Sequence, residues 1–357
     1  MALPNLFWDM GTAYDLFVSL EVLHRPADLG VRGAWAAGVR ARLPAAERET
    51  LQQVQSFFFG PPFHWVHRLP DPKDAATALW VLGRLPPENR LPALMLFPTL
   101  PQGVREVLQD VAVRQAWDER DREALKTHAR TGGKEHIFKP KVLANILEAW
   151  SHAEEFGERY LHALRTYYDV FFAEEETRIR PALKATLARA QDLAERLSLQ
   201  DLLEELSQGL RFAELPNTAE LVLVPSYWST PIMFFGEVSA ERAIWLFGAK
   251  PADASLVPGE VVPDALLRTL KALSDPTRLR ILRYATEEPL SPVKLSRRLR
   301  LRIPTVMHHL RILRLATLVQ VTVKEIDGKS RDLYTVRLEA MEAAFVALKS
   351  YLVTGES

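Results

Sequence analysis

The sequence predicts a mainly α fold with small β elements, and three observations predict it. Up to Leu210 the chain runs in apolar stripes at helical spacing, cut repeatedly by Pro. From Glu220 to Phe247 short apolar runs with polar turns replace those stripes. In the last quarter three short helical patterns precede two alternating segments joined around Gly328.

The chain has 357 residues, enough for about two domains, with 48% hydrophobic and 25% charged residues, an ordinary globular balance. It has no Cys, which excludes disulfides and thiolate metal sites. Its formal charge is zero, yet residues 264–357 hold 17 Lys and Arg against 10 Asp and Glu, leaving the front of the chain acidic. That split points to a nucleic-acid partner for the basic end. No apolar run reaches the roughly 18–20 residues of a membrane span, and the N-terminus has no signal-peptide pattern. A cytoplasmic location is expected, with no membrane partner.

In chain order, helices are expected over 14–23, 31–42, 45–59, 75–85, 92–97 and 104–130, the last with a break near Asp118. A long amphipathic helix follows over 140–173, with Val142, Ile146, Ala149 and Ala153 on its inner stripe. Helices 181–197 and 199–210 extend a bundle. Strands are expected over 221–226, 231–236 and 243–247 as a short β meander. Residues 251–262, with Pro251, Pro258 and Gly259, read as a linker. The domain plan is therefore 1–250, a linker at 251–262, and 263–357.

After the linker, Asp275-Pro276 and Ser291-Pro292 each pair a capping side chain with a Pro suited to the first helical turn. A turn at Arg300-Leu301-Arg302 leads to a third helix. Its inner stripe is Val306, Leu310, Leu313 and Thr317, and its outer face carries Pro304, Thr305, His308 and Arg311. A helix with a small, polar, partly basic outer face suits the major groove. His309 flanks the stripe and reads as a packed, hydrogen-bonded structural residue. Segments 318–325 and 333–338 read as strands around a turn at 326–331, and 339–352 as a closing helix.

Leu273-Ser274-Asp275-Pro276-Thr277-Arg278, Ser291 to Leu299 and Pro304 to Leu313 resemble the winged helix-turn-helix of ArsR-type bacterial transcription regulators. The fold expected is thus a helical N-terminal domain with a β meander, followed by a C-terminal winged helix-turn-helix. The resemblance implies a homodimer bound to double-stranded DNA, with repression as its mode. Arg302, Thr305, Met307, His308 and Arg311 would sit at or beside the bases. Arg297, Arg298, Lys324, Lys329 and Arg331 would hold phosphates. Leu266, Leu267 and Leu270 would meet Phe345, Leu348, Tyr351 and Leu352 across the dimer. In the family pattern a Gly usually stands where this chain has Arg300 and Thr317, a Ser cap where it has Arg302, and often a Ser at Met307. Losing a cap or a Gly costs about 1 kcal/mol each. Family members that sense metal through Cys near the helix at 292–299 have no counterpart here, and 339–352 lacks the His other members use. No metal and no cofactor is expected. A group of ArsR-type regulators with a long N-terminal region is also resembled at Leu223-Val224-Pro225-Ser226-Tyr227-Trp228 and, more loosely, at Trp8-Asp9-Met10-Gly11-Thr12-Ala13-Tyr14-Asp15.

Aromatic clusters in the front of the chain have two readings. Phe58, Trp65, Tyr227 and Trp228 are either core or the lining of a pocket for a small effector. Glu148, His152 and Glu155, and the pair Glu158 and His162, have metal-compatible spacing but also read as a solvated face. No phosphate loop or nucleophile elbow is present, so no enzyme is expected. The N-terminal region is then an effector sensor, an interaction platform without ligand, or, as a third reading, an enzyme fused to a DNA-binding domain.

Overall fold

The computed structural model describes residues 3–57, 60–131, 140–215, 217–255, 262–323, 325–326, 329–330 and 332–353. The chain enters as strand β1 (Asn5–Trp8) and turns into α1 (Thr12–His24). Every α1 residue from Thr12 to Leu23 is buried, as expected of a helix that is apolar nearly all round. Around it lie α2 (Gly33–Arg42), α3 (Ala45–Phe57), α4 (Phe63–Val66) and α5 (Ala75–Arg84). Asp74 caps α5 by accepting from Thr77 N at 2.8 Å.

Next come α6 (Pro87–Met95), α7 (Gln102–Arg114) and α8 (Glu119–Thr131), with the expected break before Asp118. α6 begins five residues earlier than Pro92 suggests, because Pro87 takes the first turn and Pro92 is tolerated inside. The single helix expected over 140–173 is two, α9 (Pro140–Ser151) and α10 (Ala153–Tyr167), bent at His152. Gly157 lets α10 approach α6 closely, since a Cβ there would lie 2.0 Å from Pro87 O. A π-helical turn, Tyr168–Phe172, continues into α11 (Ala173–Ala194), and α12 (Leu199–Leu206) follows.

The strands that follow are β2 (Leu210–Phe212), β3 (Glu220–Ser226), β4 (Phe234–Glu237) and β5 (Arg242–Gly248). Four strands form one sheet in the order β1-β3-β5-β4, with β1, β3 and β5 parallel and β4 antiparallel at the edge. This corrects the expected meander: β4 and β5 are a hairpin, but β5 rather than β4 pairs with β3. The cause is visible in Leu221-Val222-Leu223-Val224, which is apolar on both faces. Val222, Val224, Ile244 and Leu246 pack toward α1, while Leu221, Leu223, Trp245 and Phe247 pack toward α11 and α12. Strands buried on both sides belong to parallel sheets covered by helices.

The last part is α13 (Asp264–Leu273), α14 (Pro276–Glu287), α15 (Pro292–Leu299), α16 (Ile303–Leu315), β6 (Val319–Val323), β7 (Glu325–Ile326), β8 (Lys329–Ser330), β9 (Leu333–Val336) and α17 (Leu338–Val353). Its core is separate, built on Leu282, Leu295, Val306, Leu310, Leu313 and Val321. β7 and β8 form the wing hairpin beyond β6 and β9. The mainly α class with small β elements and the C-terminal winged helix-turn-helix are both present.

One connection departs from the plan of two parts joined by a linker. β2, from the front of the chain, pairs parallel with β6 as the third strand of the wing sheet, Leu210 opposite Val321 and Phe212 opposite Val323. Arg314 donates to Ser207 O at 2.7 Å and Gln208 O at 2.9 Å, and Arg337 also donates to Gln208 O. Of the linker, residues 256–261 lie outside those described.

Candidate nucleic-acid interface

α14 and α15 start as their sequences dictate. Asp275 accepts from Arg278 N and Ser291 from Lys294 N, each with a Pro at the first helical position. α15 ends at Arg300, whose φ of +56° and ψ of 41° are left-handed. Thr317, after α16, has φ +59°. These are the two positions where the resembled family usually has Gly, so the backbone keeps a conformation whose usual residue is missing. Arg302 precedes α16 without a side-chain cap. Thr317 was expected on the buried stripe of the third helix; instead it is half-buried and lies beyond the helix end.

Val306, Leu310 and Leu313 bury the inner face of α16. Arg302, Pro304, Thr305, Met307, His308 and Arg311 are all exposed, forming the outer face expected to read bases. Two arginines are already engaged. Arg298 pairs with Glu288 and stacks 5.6 Å over the Tyr284 ring. Arg311 pairs with Asp28, in the turn after α1. Arg297 is exposed on α15. Lys324 and Arg331 fall outside the described residues, as does the side chain of Lys329, whose backbone pairs within the wing hairpin. His309 is packed but not hydrogen-bonded at Nδ1, which lies 4.0 Å from Asp275; burial lowers its pKa.

The expected dimer residues lie on α13 and α17. Leu266 is buried, and Leu267 and Leu270 are half-buried. α17 has no buried residue at all; Phe345 is 56% and Leu352 70% exposed, with Leu348 and Tyr351 half-buried.

Sequence reasoning missed the arginines that join the two parts. Arg314, pulled down to about 10 by burial and by Arg337, binds carbonyls of the 207–208 turn. Arg268 donates to Gly30 O, and Lys250, lowered to about 8 chiefly by burial, lies 3.4 Å from Asp264. Nothing local marked them: Arg314 shares α16 with Arg311, Arg268 shares α13 with Lys271, and the carbonyl partners lie far away in sequence.

In the front of the chain, the two segments resembling the long-tailed regulators meet. β1 pairs with β3, placing Trp8 opposite Leu223. The Asp15 carboxylate accepts from Ser226 Oγ at 2.8 Å and Trp228 N at 2.9 Å. Burial pushes Asp15 up to about 7 against those bonds, and its second oxygen has no partner among the described residues. Asp9 accepts from Tyr14, His67 and Lys73, which together outweigh its burial and lower its pKa.

Of the candidate effector residues, Tyr227 and Trp228 are core: Arg178 donates to Tyr227 Oη at 2.8 Å, and Trp228 stacks on Trp35. Trp65 packs edge-on against Phe17, and Phe58 is outside the described residues. A cleft of about 630 Å³ does exist, beside β4, and Trp65, Tyr227 and Trp228 do not line it. His152 faces Glu148, and His162 lies 3.1 Å from Glu47; among the described residues no three His, Asp or Glu side chains gather as a metal site. No described helix is long and apolar enough to cross a membrane.

No curated protein matches the chain. A family model described as a helix-turn-helix domain matches residues 273–322, the span from the end of α13 into β6. The C-terminal part of this chain is therefore a helix-turn-helix domain of the kind that DNA-binding transcription regulators carry.

Proposed function

We propose that the chain is a homodimeric transcription regulator of the ArsR type that represses from the cytoplasm by covering promoter DNA. The observation that carries this reading is the outer face of α16, where Thr305, Met307, His308 and Arg311 stand exposed beside the basic run of α15. Such a face enters a major groove, and the wing holds the flanking phosphates. The unburied apolar face of α17 supports pairing of two copies through α13 and α17. Two recognition helices related by a two-fold axis then read a near-palindromic site.

The front of the chain senses a small, non-thiolate effector. Its cleft has the volume of a small-molecule site, and its contacts with α16 and β6 supply a route to DNA. We assign it no catalytic role: Asp15, the buried carboxylate with the strongly raised pKa, is sealed with 0% exposure and lines no described cleft.

The test is binding of the purified protein to labelled DNA from upstream of its own gene, across a salt series, beside an Arg311→Ala, His308→Ala double variant. Affinity should fall with salt, and the variant should lose sequence preference. Absence of binding even at low salt overturns the reading.

A further inference from the structure

The cleft beside β4 is walled by aromatic rings: Phe63 and Phe97 from the helical side, Phe234 and Phe235 on β4, and Trp245 on β5. Gly236 is needed here, since a Cβ would lie 2.8 Å from the Phe63 ring. Phe235 is 49% exposed, an unusual cost for a ring on a folded surface. It stands opposite Trp245 in register, 4.9 Å away and edge-on. Glu237, two residues along the strand, shares the face of Phe235.

Charge narrows the occupant. The ionisable lining groups are Glu21, Arg25, Glu237 and His64. Burial lowers His64 to about 4, so it is neutral near pH 7. Arg25 is already held by Glu21 at 2.8 Å, whereas among the described residues Glu237 meets only the neutral hydroxyl of Thr99. Aromatic faces beside a carboxylate without a cationic partner favour an organic cation over an anion.

The cleft also reaches the DNA-reading face. Arg25 bridges Glu21 to Asp28, 3.4 Å away, and Asp28 in turn pairs with Arg311 on α16. A second path runs through rings: Phe212 on β2 packs 4.8 Å from Trp245, and β2 is hydrogen-bonded to wing strand β6.

Resting on the regulator reading above, we infer that this cleft binds a planar aromatic cation, and that its occupancy is linked to DNA binding through Glu21, Arg25, Asp28 and Arg311. A cation held by Glu237 repels the Arg25 guanidinium in the same cleft and turns it toward Asp28, and Asp28 then holds Arg311 less firmly. Arg311 is freed for DNA, so ligand and DNA each strengthen binding of the other by the same factor.

Three naphthalenes of one shape test this: 2-naphthylmethylamine, 2-naphthylmethanol and 2-naphthoate. Titration calorimetry on the full chain without DNA tests the site independently of any DNA activity. The amine should bind about tenfold more tightly than the other two. Glu237→Gln should remove that preference and Phe235→Ala should weaken the amine, with circular dichroism confirming that both variants are folded. Equal or tighter binding of naphthoate, or no saturable binding of the amine, overturns the site. DNA titrations with and without amine should then differ by up to about fivefold, an effect lost in Asp28→Asn. Amine binding that leaves DNA affinity unchanged overturns the link.

Discussion

Ser226 Oγ donates to Asp15 Oδ1 at 2.8 Å, joining residues 211 positions apart where neither side chain is exposed. The bond fastens the end of β3 to the start of α1, at the centre of the N-terminal fold. Ser226 also accepts from Ser229 N, which fixes the turn after β3. Ser226→Ala should destabilise the protein by about 1–3 kcal/mol, because both partners stay buried. Urea unfolding measures it; a loss below the error of the method contradicts the account.

The same pair sets a pH dependence. Asp15 is raised to about 7 in the fold against 3.8 unfolded, so the folded state holds its proton more tightly. Its stabilising contribution is fully present below the unfolded pKa and is lost as pH rises to about 7. Asp15→Asn removes the titration. The stability of the wild type relative to this variant should therefore be greater near about pH 5 than near about pH 8. A difference that does not change with pH contradicts the raised pKa.

Arg300 and Thr317 hold left-handed backbone that glycine adopts freely. Arg300→Gly and Thr317→Gly should each stabilise by about 0.5–1 kcal/mol, the relief of strain exceeding the added unfolded-state entropy. Thermal melts decide it. Destabilisation at Thr317 would mean that its methyl or hydroxyl contributes more than the backbone loses.

Arg311 cannot serve Asp28 and DNA together. Asp28→Asn should tighten DNA binding by about two- to fivefold, whereas Arg311→Ala should weaken it and reduce the salt slope. Fluorescence anisotropy on one duplex compares both. Weaker binding by Asp28→Asn would show that the aspartate positions Arg311 for DNA instead of competing for it.

Phe345, half exposed on α17, is the residue to charge. Phe345→Asp should convert a dimer to a monomer in analytical ultracentrifugation and lower DNA affinity with it. The variant costs the monomer little, since Phe345 is 56% exposed in one copy. An unchanged sedimentation coefficient would place the dimer contact elsewhere.

The winged part was legible because its signals are local. Asp275-Pro276, Ser291-Pro292 and the stripe Val306, Leu310 and Leu313 lie within a few residues of what they control. The left-handed positions were marked only by the glycines that the resembled family has at Arg300 and Thr317, and the apolar spacing placed Thr317 on the buried stripe instead. The sheet was misread because pairing depends on partners far apart: β1 meets β3 across more than 200 residues, and no turn between neighbours records it. Leu221-Val222-Leu223-Val224 carried the warning, being apolar on both faces where a one-sided meander alternates. Tyr227 and Trp228 looked like a pocket for the same reason that they are core: composition records apolar bulk, not which side of it stays empty. The cleft was hidden because Glu21, Arg25 and Glu237 come from distant segments.

The pairing of β2 with β6 changes what the winged part is mechanically. A module hung from a flexible tether at 251–262 could rotate freely. This one is held as well by the strand that closes the edge of its sheet, by Arg268 at Gly30 O, and by Arg311 at Asp28. Together these attachments remove the swivel and leave a stiff bracket, so small tilts of the larger part must move the wing with it. Deleting the chain up to Gly259 would therefore not release a spare reading head; it would strip β6 of its β2 neighbour and Arg314 of its carbonyl partners at Ser207 and Gln208.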